Sequence, residues 1–247
     1  MGAKVVAVIP ARLGSKRFSG KVIHPFRGRP LLYHVWKSVG KARTIDRLVI
    51  ATDSAEVAGH AREFGAEVMM TSKRHKTGSD RTAEILGTLG GDIYVNVQAD
   101  CLGLKASLLD RVIEDMKHSR TIRFATLARR ILDDNELRNP NVVKLAMSDR
   151  GDAMWFSRSI IPHLQHPEPG PKSAQFRYLA HIGVYFFRAV ALKAYGGWKR
   201  TRLEKAESLE QLRILENGGS IRVFMTKMKS VSVDTPEDLR KLEKILK

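Results

Sequence analysis

The sequence has little cysteine, no long apolar run and few acidic residues for its number of basic ones. The single cysteine, Cys101, excludes an internal disulfide and fits a reducing compartment. No apolar run approaches the ~20 residues that a membrane-spanning helix needs. Residues 1–6 lead directly into a strand-like segment, so we expect no cleavable signal peptide, no membrane insertion and a cytoplasmic location.

Basic residues outnumber acidic ones, with 43 Lys and Arg against 26 Asp and Glu and a formal net charge of +17. Such a charge attracts polyanions, acidic small molecules or anionic membranes, and a merely solvated basic surface has the same composition. The chain contains no recognised DNA- or RNA-binding motif, and its basic stretches lack interleaved aromatic residues. A nucleic-acid binder is therefore the weakest of the possible functions, and we expect no nucleic-acid partner.

Strands and helices alternate through the first half of the chain. Short β-branched runs predict strands at 5–10, 47–52, 67–71 and 92–97, and apolar spacing predicts helices at 31–42, 53–64, 79–89 and 106–116. This alternation is typical of a parallel sheet with helices on both faces, the α/β class. Ligands of such sheets bind outside the carboxyl ends of the strands.

The second half is less regular. Its patterns predict strands at 124–131, 142–147, 181–187 and 221–225, an exposed loop at 163–175, a helix at 203–216 and a capped final helix after Asp234. With no internal repeat, low-complexity tract or linker, 1–247 is predicted to be a single domain. We place a smaller inserted subdomain at approximately 125–190.

The loop after the first strand, residues 11–21, holds four cations and two glycines. Glycine lets backbone N–H groups approach a ligand closely, and Arg and Lys donate charge-assisted hydrogen bonds to phosphate oxygens. The loop is neither a Walker A motif nor a dinucleotide Gly-x-Gly-x-x-Gly motif. It is therefore interpreted as a triphosphate-binding loop of another kind, with a solvated basic turn as the alternative.

Two aspartates follow predicted strands and are candidates for binding Mg²⁺. Asp100 follows the strand at 92–97, and Asp234 follows a short strand near the end of the chain. Mg²⁺ prefers one or two carboxylates together with phosphate oxygens. Asp100 could equally be an ordinary turn residue, and Asp234 an N-cap of the final helix. The basic loop favours the metal hypothesis, because triphosphate chemistry requires a cation.

Several collinear motifs resemble the CMP-Kdo synthetase (3-deoxy-manno-octulosonate cytidylyltransferase) family. The similarity covers nearly the whole chain. The matching segments are 8–21 (VIPARLGSKRFSGK), 50–53 (IATD), 70–72 (MTS), 77–81 (TGSDR), 96–100 (NVQAD), 141–144 (NVVK), 156–158 (FSR), 181–185 (HIGVY), 207–213 (ESLEQLR) and 233–239 (VDTPEDL).

The resemblance implies a Rossmann-like, three-layer nucleotidyltransferase sandwich with a mostly parallel sheet, in which the inserted subdomain helps to form a homodimer. It also implies a Mg²⁺-dependent enzyme that joins CTP to Kdo, an acidic 2-keto sugar, and releases pyrophosphate in lipopolysaccharide precursor synthesis. Carried over by position, the nucleotide-binding residues would be Arg12, Ser15, Lys16, Arg17, Lys21, Gly78, Ser79, Arg81 and Gln98. Asp100 and Asp234 would hold the metal and, with Lys21, form the catalytic set. The sugar site would be lined by Arg158, His181, Tyr185, Glu210 and Gln211.

Each sugar-site residue also has an ordinary structural interpretation. Arg158 could clamp the sugar carboxylate or form a surface ion pair. His181 and Tyr185, four apart on a predicted strand, could face the sugar or form a half-buried polar pair. Gln211 could contact the sugar or lie on the exposed side of an amphipathic helix.

The sequence departs from the family pattern at two places, around Asp100 and in the basic loop. The family usually has Gly-Asp-Glu-Pro where this chain has Ala99-Asp100-Cys101-Leu102, and Leu-Pro-Gly where it has Phe18-Ser19-Gly20. Because Cys101 stands where the family has Glu, a carboxylate beside the sugar and metal site is lost. An alternative acceptor is therefore open: an amino-substituted, shortened or sialic-type sugar acid, or a phosphonate, used by a nucleotidyltransferase of the same fold.

Overall fold

The computed structural model describes residues 2–14, 18, 20–228 and 231–232. The strands are, in chain order, β1 (Val5–Ala11), β2 (Pro25–Phe26), β3 (Arg29–Pro30), β4 (Arg47–Thr52), β5 (Glu67–Met70), β6 (Ile93–Val97), β7 (Cys101–Leu102), β8 (Phe124–Arg130), β9 (Lys144–Met147), β10 (Ala153–Ser157), β11 (Leu179–Arg188), β12 (Ile221–Met225) and β13 (Val231–Ser232).

The helices are α1 (Leu31–Val39), α2 (Ala55–Glu63), α3 (Gly78–Glu84), α4 (Leu86–Leu89), α5 (Ala106–His118), α6 (Asp134–Arg138), α7 (Lys172–Gln175), α8 (Ala189–Gly197), α9 (Arg202–Glu207) and α10 (Leu212–Glu216). A 3₁₀ turn at Lys21–Ile23 follows the basic loop. No helix within the described ranges is both long and apolar enough to cross a lipid bilayer.

One mixed sheet of nine strands organises the described residues. Its main path is β10-β9-β11-β6-β1-β4-β5, and β8 joins β11 and β12. Strands β6, β1, β4 and β5 are parallel neighbours, as the alternation in the first half of the sequence predicts. Strand β11 runs antiparallel to β6 and connects the two halves. The α/β fold with helices on both faces of a mixed sheet is thus confirmed.

Strand β1 is buried on both faces, which is why its sequence is continuously apolar. Val5, Ala7 and Ile9 pack in the core cluster that also includes residues of α1, α2 and α5. Val6 and Val8 pack in the opposite cluster, with residues of α4, α8 and α10. The result is three layers, with helices on each side of the sheet.

Two predicted helices are each broken in the structure. The helix expected at 203–216 is two helices, α9 and α10, because Ser208 adopts a left-handed conformation with φ 54°. The helix expected at 79–89 likewise divides into α3 and α4 at Ile85. The break at Ser208 matters for the site, because it allows Glu210 and Gln211 to face the sheet instead of continuing a surface helix.

The segment predicted as an inserted subdomain contributes β8, β9, β10 and β11 to the main sheet. It also contains a small separate core formed by Ile131, Leu137, Tyr178 and Ala180. The loop expected at 163–175 is exposed at His163 and from residue 165 to 171, and it ends in α7. The division into a domain and an inserted subdomain stays a prediction, and the final helix lies outside the described residues.

Candidate active site

The basic loop and Asp100 meet at the carboxyl ends of β1 and β6. Lys21 donates to Asp100 Oδ2 over 2.5 Å, with side-chain exposures of 11% and 23%. Gly20, which precedes the 3₁₀ turn, has φ 69°, a conformation that glycine adopts without strain. Its N–H donates to the Leu13 carbonyl over 3.1 Å and closes the loop on itself. Two of the three predicted catalytic residues are therefore in contact.

Four predicted site residues lie outside the described residues: Ser15, Lys16, Arg17 and Asp234. The backbone of residues 231–232, just before Asp234, is nevertheless described. Strand β13 pairs antiparallel with β7, so that Ser232 is opposite Cys101. The chain that leads to Asp234 thus passes beside the residue that follows Asp100.

Arg12 lines a cavity of about 460 Å³ next to the loop. The cavity is bounded by β1 and its loop on one side and by the residues after β4 and β5 on the other. Its lining residues are Arg12, Leu13, Gly14, Asp53, Ser54, Ala55, Lys73, His75 and Lys76. Three cationic side chains around one cleft, of the size that small ligands occupy, favour an anionic ligand.

Gly78 is the first residue of α3 and packs directly against the ends of β1 and β6. A Cβ atom at Gly78 would lie 2.9 Å from Gln98 Nε2, 2.9 Å from Pro10 Cγ and 3.4 Å from Asn96 Nδ2. Only glycine lets the start of this helix approach the strands so closely. The position of α3, which carries Ser79 and Arg81, therefore depends on Gly78.

Replacing Gly78 by Ala is expected to push α3 away from β6 and weaken binding of the predicted nucleotide about tenfold. Overpacking at a tight contact typically costs about 1–3 kcal/mol, and here the strain falls on residues of the candidate site. Thermal unfolding and substrate titration measure the two effects. Gly87→Ala is the matched control, because nothing lies within 4 Å of a Cβ there. Equal behaviour of the two variants would contradict this account of Gly78.

Ser79, Gln98 and Glu210 form a buried polar network between α3, β6 and the turn before α10. The Ser79 N–H donates to Glu210 Oε2 over 2.9 Å, and Gln98 Nε2 donates to Glu210 Oε1 over 3.3 Å. Asn96 Nδ2 donates to Ser79 Oγ over 3.2 Å. Burial raises the pKa of Glu210, and the hydrogen bond from the Ser79 backbone opposes that rise. Predicted nucleotide and sugar residues thus share one network.

Arg81 has its guanidinium turned into the protein. It is 3% exposed, donates to Asp53 Oδ2 over 3.0 Å and donates to Thr71 Oγ1 as well. Asp53 and Thr71 directly follow β4 and β5, so Arg81 ties α3 to the carboxyl ends of both strands. In this structure its guanidinium positions the wall of the cleft that Arg12 lines.

Arg213 lies near the site, and its sequence context alone indicates no role for it. It is 1% exposed and donates to both carboxylate oxygens of Glu204, over 2.8 and 2.7 Å, and to Asp80 Oδ1 over 2.6 Å. Its guanidinium carbon lies 4.3 Å from the centre of the Tyr195 ring. Burial lowers the pKa of Arg213, but the hydrogen bonds to Glu204 and Asp80 more than offset this and raise it. Asp80 is 133 residues away in sequence, so spacing alone could not reveal this connection.

His181, Tyr185 and Gln211 come together as the sugar-site prediction requires. The His181 and Tyr185 rings lie 5.4 Å apart, and the Tyr185 hydroxyl donates to Gln211 Oε1 over 2.9 Å. Gln211 is 1% exposed, so the alternative that it lies on the exposed side of an amphipathic helix is wrong. Within the described part of the chain its buried Nε2 has no hydrogen-bond partner. Burial raises the pKa of Tyr185 well above its ordinary value and lowers the pKa of His181 to about 3.

Arg158 is half-buried after β10, and two of its five guanidinium N–H groups donate to backbone carbonyls. Its N–H donates to Glu207 Oε2 over 2.9 Å, its Nε to the Glu207 carbonyl over 2.8 Å and its Nη1 to the Pro140 carbonyl over 3.0 Å. Among the described residues, Nη2 has no acceptor. The second Nη1 proton and both Nη2 protons therefore remain for a carboxylate.

Ala99, Cys101 and Leu102, where the chain departs from the family pattern, are all buried. Burial, with a smaller contribution from the charge of Asp100, raises the pKa of Cys101 to about 12. The thiol is therefore protonated at neutral pH, and no side chain at these positions replaces the missing carboxylate.

The described residues contain no cluster of three His, Cys, Asp or Glu side chains that could hold a metal ion by itself. Asp100 supplies a hard oxygen donor at a strand end, beside the predicted phosphate loop. This arrangement suits Mg²⁺, which commonly takes one or two carboxylates and completes its coordination with phosphate oxygens and water.

A three-layer α/β fold with a cationic cleft at the carboxyl ends of its parallel strands suits a protein that binds an anionic ligand there, and the comparisons with known proteins define its class as nucleotidyltransferase. A family profile described as cytidylyltransferase matches residues 6–243. A 3-deoxy-manno-octulosonate cytidylyltransferase of Geobacter metallireducens is 41% identical, over 97% of this chain and 96% of that protein. A relative of the same name from Geobacter sulfurreducens is 40% identical, over 98% and 99% of the two chains.

Solved structures agree with the sequence relatives. CMP:2-keto-3-deoxy-manno-octonic acid synthetase complexed with CTP is 33% identical, with a TM-score of 0.89 over 99% of this chain and 98% of that one. A cytidylyltransferase of Leptospira borgpetersenii has a TM-score of 0.65 at 16% identity, over 98% and 85% of the chains, which shows a shared fold. The chain belongs to the cytidylyltransferase family.

Proposed function

We propose that this protein transfers CMP from CTP to 3-deoxy-manno-octulosonate (Kdo) and releases pyrophosphate. The observation that carries the proposal is the contact between Lys21 of the basic loop and Asp100. It lies beside the network of Gln98 and Glu210. The sugar nucleotide product would serve lipopolysaccharide precursor synthesis. Relatives at 41% and 40% identity carry the corresponding name.

The transfer forms one P–O bond, breaks another and releases the proton of the attacking hydroxyl to water. A hydroxyl oxygen of the sugar attacks the α-phosphorus of CTP, the bond from that phosphorus to the bridging oxygen breaks, and the electron pair leaves with pyrophosphate. Little covalent work falls to the protein, so positioning and charge neutralisation dominate. We assign phosphate binding to Arg12, Ser15, Lys16, Arg17 and Lys21, and the nucleoside side of the cleft to the start of α3.

Asp100 and Asp234 would hold Mg²⁺, which when bound supplies neutralisation of phosphate charge and a lower pKa for the attacking hydroxyl. Lys21 forms a direct ion pair with Asp100. The same ammonium group is placed at the carboxyl end of β1 and β6, where the phosphates of a nucleotide bound in the cleft would add negative charge.

The sugar side of the site combines neutral and cationic groups. His181 and Tyr185 are uncharged at neutral pH, because burial disfavours their charged forms. The buried Nε2 of Gln211, which lacks an acceptor within the described residues, is available to a ligand oxygen. Arg158 is the cation of this side and would attract the sugar carboxylate. Neutral polar groups for hydroxyls and one cation for the carboxylate match an acidic sugar.

The deciding experiment pairs each of the four nucleoside triphosphates with a panel of sugar acids in the presence of Mg²⁺ and follows pyrophosphate. The panel contains Kdo, an amino-substituted Kdo, a shortened 2-keto sugar acid and a sialic acid. We expect release with CTP and Kdo. Release with CTP and another acid only would retain the cytidylyltransferase and replace the acceptor. Release with no pair would contradict the proposal.

We further propose that the protein is a homodimer and that residues 125–190 contribute to its interface. Large apolar side chains of this segment are exposed in the single chain, with Leu132 at 67%, Met154 at 64% and Phe176 at 40%. Light scattering measures the mass of the assembly, which is expected to be twice 27.7 kDa. A single-chain mass at micromolar concentration would contradict the dimer.

We place the protein in the cytoplasm. A single buried cysteine is compatible with a reducing compartment.

A further inference from the structure

We propose that Thr126 is a positioning residue that holds His181 in the tautomer with its proton on Nε2, so that Nδ1 accepts a hydrogen bond from a hydroxyl of the acceptor sugar. The proposal rests on the proposed function for the identity of the sugar. The tautomer itself rests on three contacts of one hydroxyl group.

Thr126 lies in β8 and is fully buried. Its hydroxyl oxygen lies 2.8 Å from the Val184 carbonyl oxygen and 2.8 Å from His181 Nε2. A third neighbour, the Ile182 carbonyl, lies at 3.5 Å. One hydroxyl therefore contacts two carbonyls and an imidazole nitrogen.

The proton count settles which group donates. A threonine hydroxyl has one proton, and a backbone carbonyl can only accept. The short contact with the Val184 carbonyl therefore requires the Thr126 proton. The hydroxyl must then accept from the imidazole, so Nε2 of His181 carries a proton. Because the low pKa of His181 keeps the ring neutral, Nδ1 has a free lone pair.

The surrounding backbone explains why the hydroxyl occupies this position. Strand β11 is irregular where it passes β8: Ile182 pairs with Leu127, and the next pair is Tyr185 with Thr126. Gly183 and Val184 form a bulge, which frees a carbonyl from the ladder on the β8 side. The Thr126 hydroxyl satisfies that carbonyl and contacts the imidazole at the same time. Bulges of this kind commonly re-aim side chains at functional sites.

The remaining faces of His181 leave Nδ1 open. Its backbone N–H donates to the Val143 carbonyl over 2.8 Å, and its ring contacts the Phe156 and Tyr185 rings with centroids 5.1 and 5.4 Å apart. Across the described part of the chain, Nδ1 has no hydrogen-bond partner, and the residue is only half-buried. A lone pair at this position selects a donor group of the ligand, such as a hydroxyl, and repels a carboxylate. The sugar carboxylate is therefore directed away from His181, towards Arg158.

The first test is spectroscopic and requires no substrate. Protein labelled with ¹⁵N-histidine is measured by long-range ¹H–¹⁵N correlation, and the His181→Gln variant identifies the His181 signals. We expect a protonated Nε2 and an unprotonated Nδ1 in the wild type and in Thr126→Ser. Thr126→Val is expected to change the tautomer. A proton on Nδ1 in the wild type, or an unchanged spectrum in a folded Thr126→Val, would overturn the proposal.

The second test separates positioning from a purely structural role. Thr126→Val should raise the KM for Kdo about tenfold, the equivalent of one lost hydrogen bond, and leave the KM for CTP within about twofold. Thr126→Ser should restore the KM for Kdo. Equal increases in both KM values would indicate a structural role only. If Thr126→Val does not fold, the spectra of the wild type and Thr126→Ser decide. If CTP and Kdo give no turnover at all, the proposed function fails and the tautomer is still decided by the spectra.

Discussion

Replacing Asp100 by Asn is expected to lower pyrophosphate release by about 100-fold or more, without loss of folded structure. The change removes the carboxylate that pairs with Lys21 and that we assign to Mg²⁺. Groups that stabilise charge in a transition state commonly contribute about 10²–10³-fold to the rate. Initial rates at saturating CTP and Kdo measure the loss, and circular dichroism confirms the fold.

Asp115→Asn is the matched control, because Asp115 lies on the exposed face of α5, away from the cleft. It removes the same charge from the protein as a whole and should leave the rate unchanged. Activity of Asp100→Asn within about threefold of the control would remove Asp100 from the catalytic set. The Lys21–Asp100 contact would then be an ordinary ion pair.

Replacing Arg213 by Leu is expected to destabilise the protein by about 3–5 kcal/mol, because it leaves the buried carboxylate of Glu204 without its main partner. Arg200 still donates to Glu204 Oε1 over 2.9 Å and offsets part of the loss. For a chain of this size the change corresponds to a decrease in Tm of about 10 °C. The KM for CTP should also rise, because Arg213 holds Asp80 of α3.

An exposed ion pair supplies the control for Arg213. The Arg138 side chain is 65% exposed and pairs with Asp134, four residues earlier, over 3.2 Å. Exposed pairs of this type typically contribute less than about 0.5 kcal/mol, so Arg138→Leu should unfold at nearly the wild-type temperature. Calorimetry on both variants makes the comparison. A decrease in Tm of only about 1–2 °C for Arg213→Leu would contradict the structural role of Arg213 and its two carboxylate partners, Glu204 and Asp80.

The parallel half of the sheet could be predicted because its strands are continuously apolar and its turns contain recognisable residues. Gly65, shortly after α2, adopts a left-handed conformation with φ 82°, which is typical of the glycine that follows a helix. The break at Ser208 could not be predicted, because serine has no general preference for that conformation. Leu209, Leu212 and Leu215 have helical spacing directly after the break, so the apolar pattern does not reveal where the helix is interrupted.

For the candidate site, local motifs predict that Lys21 lies in the loop after β1 and that Asp100 follows β6. The fold makes these two strands neighbours. The resemblance supplied the distant residues, such as His181 and Gln211, which no spacing rule connects to the basic loop. The hydrogen bonds that connect α3 to the residues around the start of α10 could not be predicted from the sequence. Glu210 contacts Ser79, and Arg213 contacts Asp80, across more than 130 residues, and only the fold determines these pairs.

The central claim is that the α-phosphate of CTP, with its cytidine, is transferred to the sugar. CTP labelled with ³²P at the α-phosphate, incubated with the protein, Kdo and Mg²⁺, tests it most directly. We predict that the label appears in a single nucleotide sugar with the mass of CMP-Kdo, in amounts equal to the pyrophosphate released. Label that remains in CTP, or that appears only in free CMP in a sugar-independent reaction, would contradict the account.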